Sequence, residues 1–224
     1  MTNYKHQITN NPKAPTTKSK NLGFVILVLF VFCNLLFVIC SSVSAWTITS
    51  DLQKELDQKK AAVKANPQGA DARFDLAITM AYTNNIQDGW DQLKKTVELD
   101  PNYKQKGLDF YLQKVTASPN DWRLRFRLAF AYYFNDKKKE AVHELDNVLI
   151  LDPNNVWAYG YAALILGEMG QIDNGLAYTR KGLKIDSNVA ALHLLLSEGL
   201  YKKNDSWGGF VERVEALRLR ALGF

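Results

Sequence analysis

Most of this chain repeats apolar side chains at the spacing of an α-helix, and one stretch departs from that pattern by having no polar face at all. Apolar residues recur three and four apart at Leu124, Leu128, Ala131 and Tyr132, and again at Val142, Leu145, Val148 and Leu149. That spacing predicts helices buried along one side. Short polar runs interrupt the pattern at Thr83-Asn84-Asn85, Asn135-Asp136 and Gly170-Gln171. Pro153 biases Asp152 away from the helical region and so ends one helix before the next begins. The exception is Leu22–Cys40, LGFVILVLFVFCNLLFVIC, nineteen residues without a charge. At about 1.5 Å per residue it predicts a helix that roughly spans a ~30 Å hydrocarbon core.

Beyond residue 46 a longer period appears. Pro67, Pro101, Pro119 and Pro153 are spaced 34, 18 and 34 residues apart, and a further 34 lands on Ser187. The surroundings recur with them: Glu98-Leu99-Asp100-Pro101, Ile150-Leu151-Asp152-Pro153 and Lys184-Ile185-Asp186-Ser187. A fixed period carrying the same local residues is the mark of a repeat architecture. Small residues at Ala77, Ala129 and Ala163 on one helix, and at Gly89, Ala141 and Gly175 on the next, would let the two helices of each unit approach closely.

The order of side-chain sizes within a unit resembles the tetratricopeptide repeat (TPR) family. Residues 122–155 supply Arg125, Leu128-Ala129, Tyr132, Ala141, Leu145, Val148 and Pro153. Residues 70–103 supply Arg73, Leu76-Ala77, Met80, Gly89, Leu93, Thr96 and Pro101. Residues 156–189 supply Tyr159, Ala162-Ala163, Leu166, Gly175, Thr179, Gly182 and Ser187. The likeness covers most of residues 51–224 and is best in 122–155; Arg replaces the family's opening Trp in two copies. It implies an all-α fold, an α-solenoid of TPR-like helix pairs, with a degenerate last pair over 190–221. Residues 51–66 read as a lone second helix. Only one extra helix, about 104–117, fits the 18-residue spacing, so the superhelix should kink there.

Charge changes the picture less than the totals suggest. Lys+Arg number 28 against 23 Asp+Glu, a net charge of +5. Lys5, Lys13, Lys18 and Lys20 in the tail account for four of those charges, leaving residues 46–224 almost neutral. The tail, residues 1–21, is polar with Pro12 and Pro15 and should be disordered. Its lysines stand before the apolar segment, and positive flanks stay cytoplasmic. The expected organisation is therefore a transmembrane signal anchor over 22–45 with residues 46–224 on the extracytoplasmic side of a bacterial envelope. Two alternatives stay open. Val43-Ser44-Ala45 offers a cleavage site before Trp46, which would make a secreted protein, although the apolar core exceeds the ~7–15 residues of a signal peptide. In the other, the repeats lie in the cytoplasm.

Candidate chemistry is sparse. His143-Glu144 lacks the second His of a zinc-protease helix, and Gly167-Glu168-Met169-Gly170 lacks the Lys-Ser/Thr of a phosphate loop. Cys33 and Cys40, the only cysteines, both lie in the apolar segment. Lys137-Lys138-Lys139 is followed by Glu140 and Glu144, and near-neutrality gives no footprint for nucleic acid. The reading is a non-enzymatic scaffold without cofactor or metal, with other proteins as partners. Stacked pairs place their first helices on a concave face. The resemblance puts Phe74, Ile78, Tyr82, Arg123, Phe126, Arg127, Phe130, Tyr133, Phe134, Trp157 and Tyr161 there. Such a groove would take an apolar or aromatic segment of a partner, with Arg123 and Arg127 pairing with its acidic groups.

Overall fold

The computed structural model describes residues 48–223. The tail and the apolar segment over 22–45 lie outside the described residues. Among the described residues no helix is long and apolar enough to cross a membrane.

Ten α-helices and no strands make up the described residues: α1 (Ser50–Ala65), α2 (Ala70–Ala81), α3 (Ile86–Leu99), α4 (Tyr103–Ala117), α5 (Trp122–Phe134), α6 (Lys138–Leu151), α7 (Val156–Glu168), α8 (Ile172–Ile185), α9 (Ala190–Lys202) and α10 (Ser206–Ala221). Four hairpins dominate the packing, α2/α3, α5/α6, α7/α8 and α9/α10. Each later first helix also packs on the second helix before it: α7 on α6, and α9 on α8. First helices α5, α7 and α9 start 34 residues apart, which is the sequence period made physical.

The hairpin turns share one device. Asn84, Asp136, Gly170 and Asn204 occupy the same place in the four turns, and all have positive φ, between 57° and 77°. The following amide donates back to the carbonyl five residues earlier: Asn85 to Met80, Lys137 to Tyr132, Gln171 to Leu166 and Asp205 to Leu200, at 2.9–3.0 Å. This left-handed cap satisfies carbonyls that the helix end would orphan. Asn, Asp and Gly are the residues that tolerate that conformation.

The small residues act as expected. A Cβ on Gly89 would lie 3.0 Å from the Ala77 carbonyl oxygen, and one on Gly175 3.1 Å from that of Ala163. The two arginines at the family's Trp position have a shared role. Arg73 donates to the Pro67 carbonyl and to Gln92, and Arg125 to the Pro119 carbonyl and to Glu144. Each ties its helix to the preceding turn and to its own hairpin partner.

One unit breaks the series. Helix α4 packs against α5 as a second helix does, but the first helix that should precede it is missing. As a result α2 and α5 come into direct contact, and α3 touches α4 only slightly.

Candidate interaction cleft

The missing helix decides where the predicted groove residues go. Phe74, Ile78, Tyr82, Phe126, Arg127, Phe130, Trp157 and Tyr161 are all buried. Arg123, Tyr133 and Phe134 are half-buried. With nothing between α2 and α5, their faces close on each other. Phe74 meets Tyr103, Tyr111 and Phe134 with ring centroids 5.3–6.0 Å apart. Tyr82 meets Trp122 and Phe126, and Phe126 and Phe130 pack edge-on to Tyr161. The Tyr161 hydroxyl donates to the Ala81 carbonyl across the join at 3.3 Å. The expected open aromatic groove over α2 and α5 is thus filled by the chain's own rings.

Arg123 and Arg127 likewise find their acidic partners at home. Arg127, 4% exposed, donates through Nε to Asp75 Oδ1 (2.9 Å) and through a terminal nitrogen to Glu55 Oε1 (2.9 Å). Arg123 Nε reaches Glu55 Oε2 at 2.8 Å, and Lys59 reaches Asp75 at 2.7 Å. The Tyr82 and Tyr111 hydroxyls donate to Glu55 and Asp75. Burial pushes the Glu55 carboxyl up, but the hydrogen bonds from Tyr82 and Arg127 and the Arg127 charge outweigh it, so it titrates below its ordinary range. At Asp75 burial is again outweighed, here by the Arg127 charge and by Lys59 and Tyr111. Desolvation raises Tyr82 to about 12. Every member of this cluster has a partner, which a buried charge needs if it is not to cost several kcal/mol. The cluster fastens α1, α2 and α5 together.

What stays open lies next to the join. A cleft of about 290 Å³ runs between the start of α3 and the inner faces of α7 and α9, walled by Ile86, Trp90, Trp157, Tyr161, Leu164 and Leu195, with Glu198 at its edge. Gly160 keeps the wall thin, since a Cβ there would lie 3.2 Å from Leu192 Cδ2. Leu164, Leu195 and Glu198 also line an adjoining depression of about 190 Å³ that ends at Glu168 and Lys202. The first is almost wholly apolar, and the second carries charged residues at its far end. At the charged end Glu168 accepts from Tyr133 Oη at 2.8 Å and pairs with Lys138 at 3.2 Å. Burial, then the bond to Glu168, raises the Tyr133 phenol to about 12.

Trp157 and Tyr161 are the two predicted residues that line this cleft. Ile86 and Trp90 were missed, because a concave face built from first helices leaves no place for a second helix such as α3; Leu195, on the first helix α9, was not singled out in the degenerate last pair. The signal was there: Trp90 is the fifth residue of α3, in register with Val142 of α6, Leu176 of α8 and Phe210 of α10. Side chains at that position receive the following first helix. In α3 that helix is missing. Catalytic groups are not gathered here. No group of three or more His, Cys, Asp or Glu able to hold a metal occurs among the described residues. His193 bridges α9 to α10, with Nδ1 2.6 Å from Glu212 and Nε2 2.9 Å from the Ser187 carbonyl oxygen.

No protein-family model matches the chain, and no curated protein does. Among solved structures, MamA is 18% identical over 77% of this chain and 91% of its own, with a TM-score of 0.44. YrrB, described as a TPR protein with an unusual peptide-binding site, is 16% identical over 73% of this chain and 92% of its own, TM-score 0.49. MamA 41-end from Desulfovibrio magneticus RS-1 is 16% identical over 77% and 87%, TM-score 0.43. The solenoid-like packing of helix pairs described above rests on this chain's own turns, register and contacts.

Proposed function

We propose that this chain is a TPR-like scaffold that holds a partner protein through the cleft between α3, α7 and α9. The observation that carries this reading is the cleft itself: an open apolar cleft with aromatic walls, large enough for one or two bulky side chains, beside a second depression edged by charged residues. Apolar clefts with aromatic walls are where the anchoring side chains of a protein interface are received. The partner contributes an apolar or aromatic anchor to the Trp90–Tyr161 end, and polar or charged neighbours run toward Glu198, Glu168 and Lys202. No catalytic step is assigned.

A photo-crosslinking residue at Leu194, which lines the cleft, tests this in the full chain. The expected result is an adduct with one defined protein that disappears when Leu195→Asp is added. An adduct indifferent to that change, or none, sinks the reading.

The sequence further supports a scaffold held at a membrane by residues 22–45, with the repeats on the extracytoplasmic side. Carbonate extraction and protease shaving of intact cells test that part separately. A shorter soluble species would favour cleavage after Ala45, and protected repeats would place them in the cytoplasm.

A further inference from the structure

Helix α1 buries less of itself than any other described helix. Of its sixteen residues only Leu56 is buried, against Leu76 and Met80 of α2, with Val63 packed beside them. Leu52, Glu55, Lys59 and Val63 are half-buried along the same stripe, and the remaining residues face water. Helices α6 and α8 are each gripped from two sides, by their own first helix and by the next. Helix α1 packs on the following first helix, α2, and no first helix of its own occurs among the described residues.

Its polar hold centres on Glu55. Oε1 accepts from Arg127 at 2.9 Å and from the Tyr82 and Thr79 hydroxyls, and Oε2 accepts from Arg123 Nε at 2.8 Å. Four donors from α2 and α5 thus converge on one carboxylate, and donors that carry charge make the stronger bonds. Three of the four sit on buried residues, Thr79, Tyr82 and Arg127. Their places do not depend on Glu55. Arg127 keeps Asp75 Oδ1 at 2.9 Å and the Arg123 carbonyl at 3.1 Å, and the Tyr82 ring packs on Trp122 and Phe126. The turn into α2 is anchored without α1 as well, since Arg73 grips the Pro67 carbonyl through two nitrogens. A hinge at Asn66, which Pro67 biases away from the helical region, lets α1 lift and leaves this carboxylate receptor formed.

We propose that the face of α2 and α5 under α1 is a docking surface for a helix of another protein, and that α1 is its built-in competitor. Charge complementarity sets the occupant. It brings a carboxylate to Arg123 and Arg127, followed by a Leu that packs on Leu76 and Met80, as Glu55 and Leu56 do. A side chain larger than Val63, two turns on, gives such a helix its advantage over α1. A second copy's α1 makes only the contacts that the chain's own already makes, and the tether favours the chain's own. This surface is separate from the cleft, which α1 does not line.

Native-state hydrogen exchange of the full chain in detergent tests the first half. The α1 amides are expected to exchange at least thirtyfold faster than those of α5, and Glu55→Gln should speed α1 at least tenfold further while α5 is unchanged. Exchange of α1 and α5 together overturns the proposal, because α1 is then part of one cooperative fold. The second half is read by fluorescence anisotropy with a stapled, labelled peptide of residues 49–66. It should bind the Glu55→Gln chain saturably, at least tenfold tighter than the wild-type chain. Glu55→Gln in the peptide, or Arg123→Gln added to the receiving chain, should each weaken that binding at least tenfold. Absent binding, or equal binding by the altered peptide, overturns the proposal. Sedimentation of a wild-type dimer that Glu55→Gln dissociates would assign the surface to a second copy and overturn it too. Leu195→Asp leaves peptide binding intact, so the outcome is independent of the cleft.

Discussion

Trp90 and Phe210 hold the same position in the repeat, and among the described residues neither is covered by the first helix that the register calls for. Their fates differ. After α3 the chain folds back, and α5 and α7 bring Phe130, Tyr161 and Leu164 to Trp90, leaving a cleft beside it. After α10 nothing among the described residues returns to cover Phe210. The same local pattern thus gives an internal pocket in one place and an outward face in the other. What separates them lies far off in the sequence: the cluster around Arg127, which fixes α1, α2 and α5 so that the inner gap closes.

The largest expected effect comes from breaking that closure. Arg127→Met leaves Asp75 and Glu55 with Lys59, Arg123, Thr79 and the tyrosines. Loss of a buried ion-pair partner costs roughly 3–5 kcal/mol. Since both carboxylates keep some contact with water, about 2–3 kcal/mol is expected in denaturant unfolding of the full chain. A loss under 1 kcal/mol would mean that the aromatic join holds without the charges.

The same cluster sets an acid limit. Glu55 and Asp75 titrate in the fold below their ordinary values of 4.5 and 3.8. Their contribution is therefore complete above those ordinary values and is lost as pH falls through the lowered folded ones. Stability should decline below about pH 4, and this acid limb should be shallower in Arg127→Met. Parallel limbs in the two proteins would place the acid sensitivity elsewhere.

A smaller effect is expected at the inner gap itself. Trp90→Ala removes a half-buried ring from the cleft wall, and about 2 kcal/mol is expected, below the 3–5 of a fully buried Trp or Phe. At the outer end Phe210→Gln should change stability by less than about 0.5 kcal/mol, as for other exposed positions. Thermal melts of this pair state the comparison most sharply. Equal losses would show that Phe210 is packed within the fold.

Much of the fold was legible. The period of 34, the small residues at Ala77 and Gly89, and the polar turns at Asn84, Asp136 and Gly170 act locally, through helix propensity, close approach and left-handed caps. The cleft was only half legible. Trp157 and Tyr161 could be placed on a first helix, whereas Trp90 depends on which helix is missing beside it. Phe126 and Phe130 were expected in an open groove because a regular solenoid would expose them. Glu55 looks like any solvated carboxylate in a charged helix, and nothing within sixty residues of it in the chain announces Arg127.

The ion cluster has a kinetic consequence as well. The hairpins close between residues a few positions apart, as in Asn85 to Met80, so little chain entropy opposes them. The Glu55–Arg127 bond joins residues 72 apart, and a loop of that length must be closed before the bond returns any energy. The hairpins are thus expected to assemble first, with the inner gap sealing late, when most of the molecule is already in place. In a stopped-flow series Arg127→Met would then hasten unfolding while leaving the folding rate nearly unchanged.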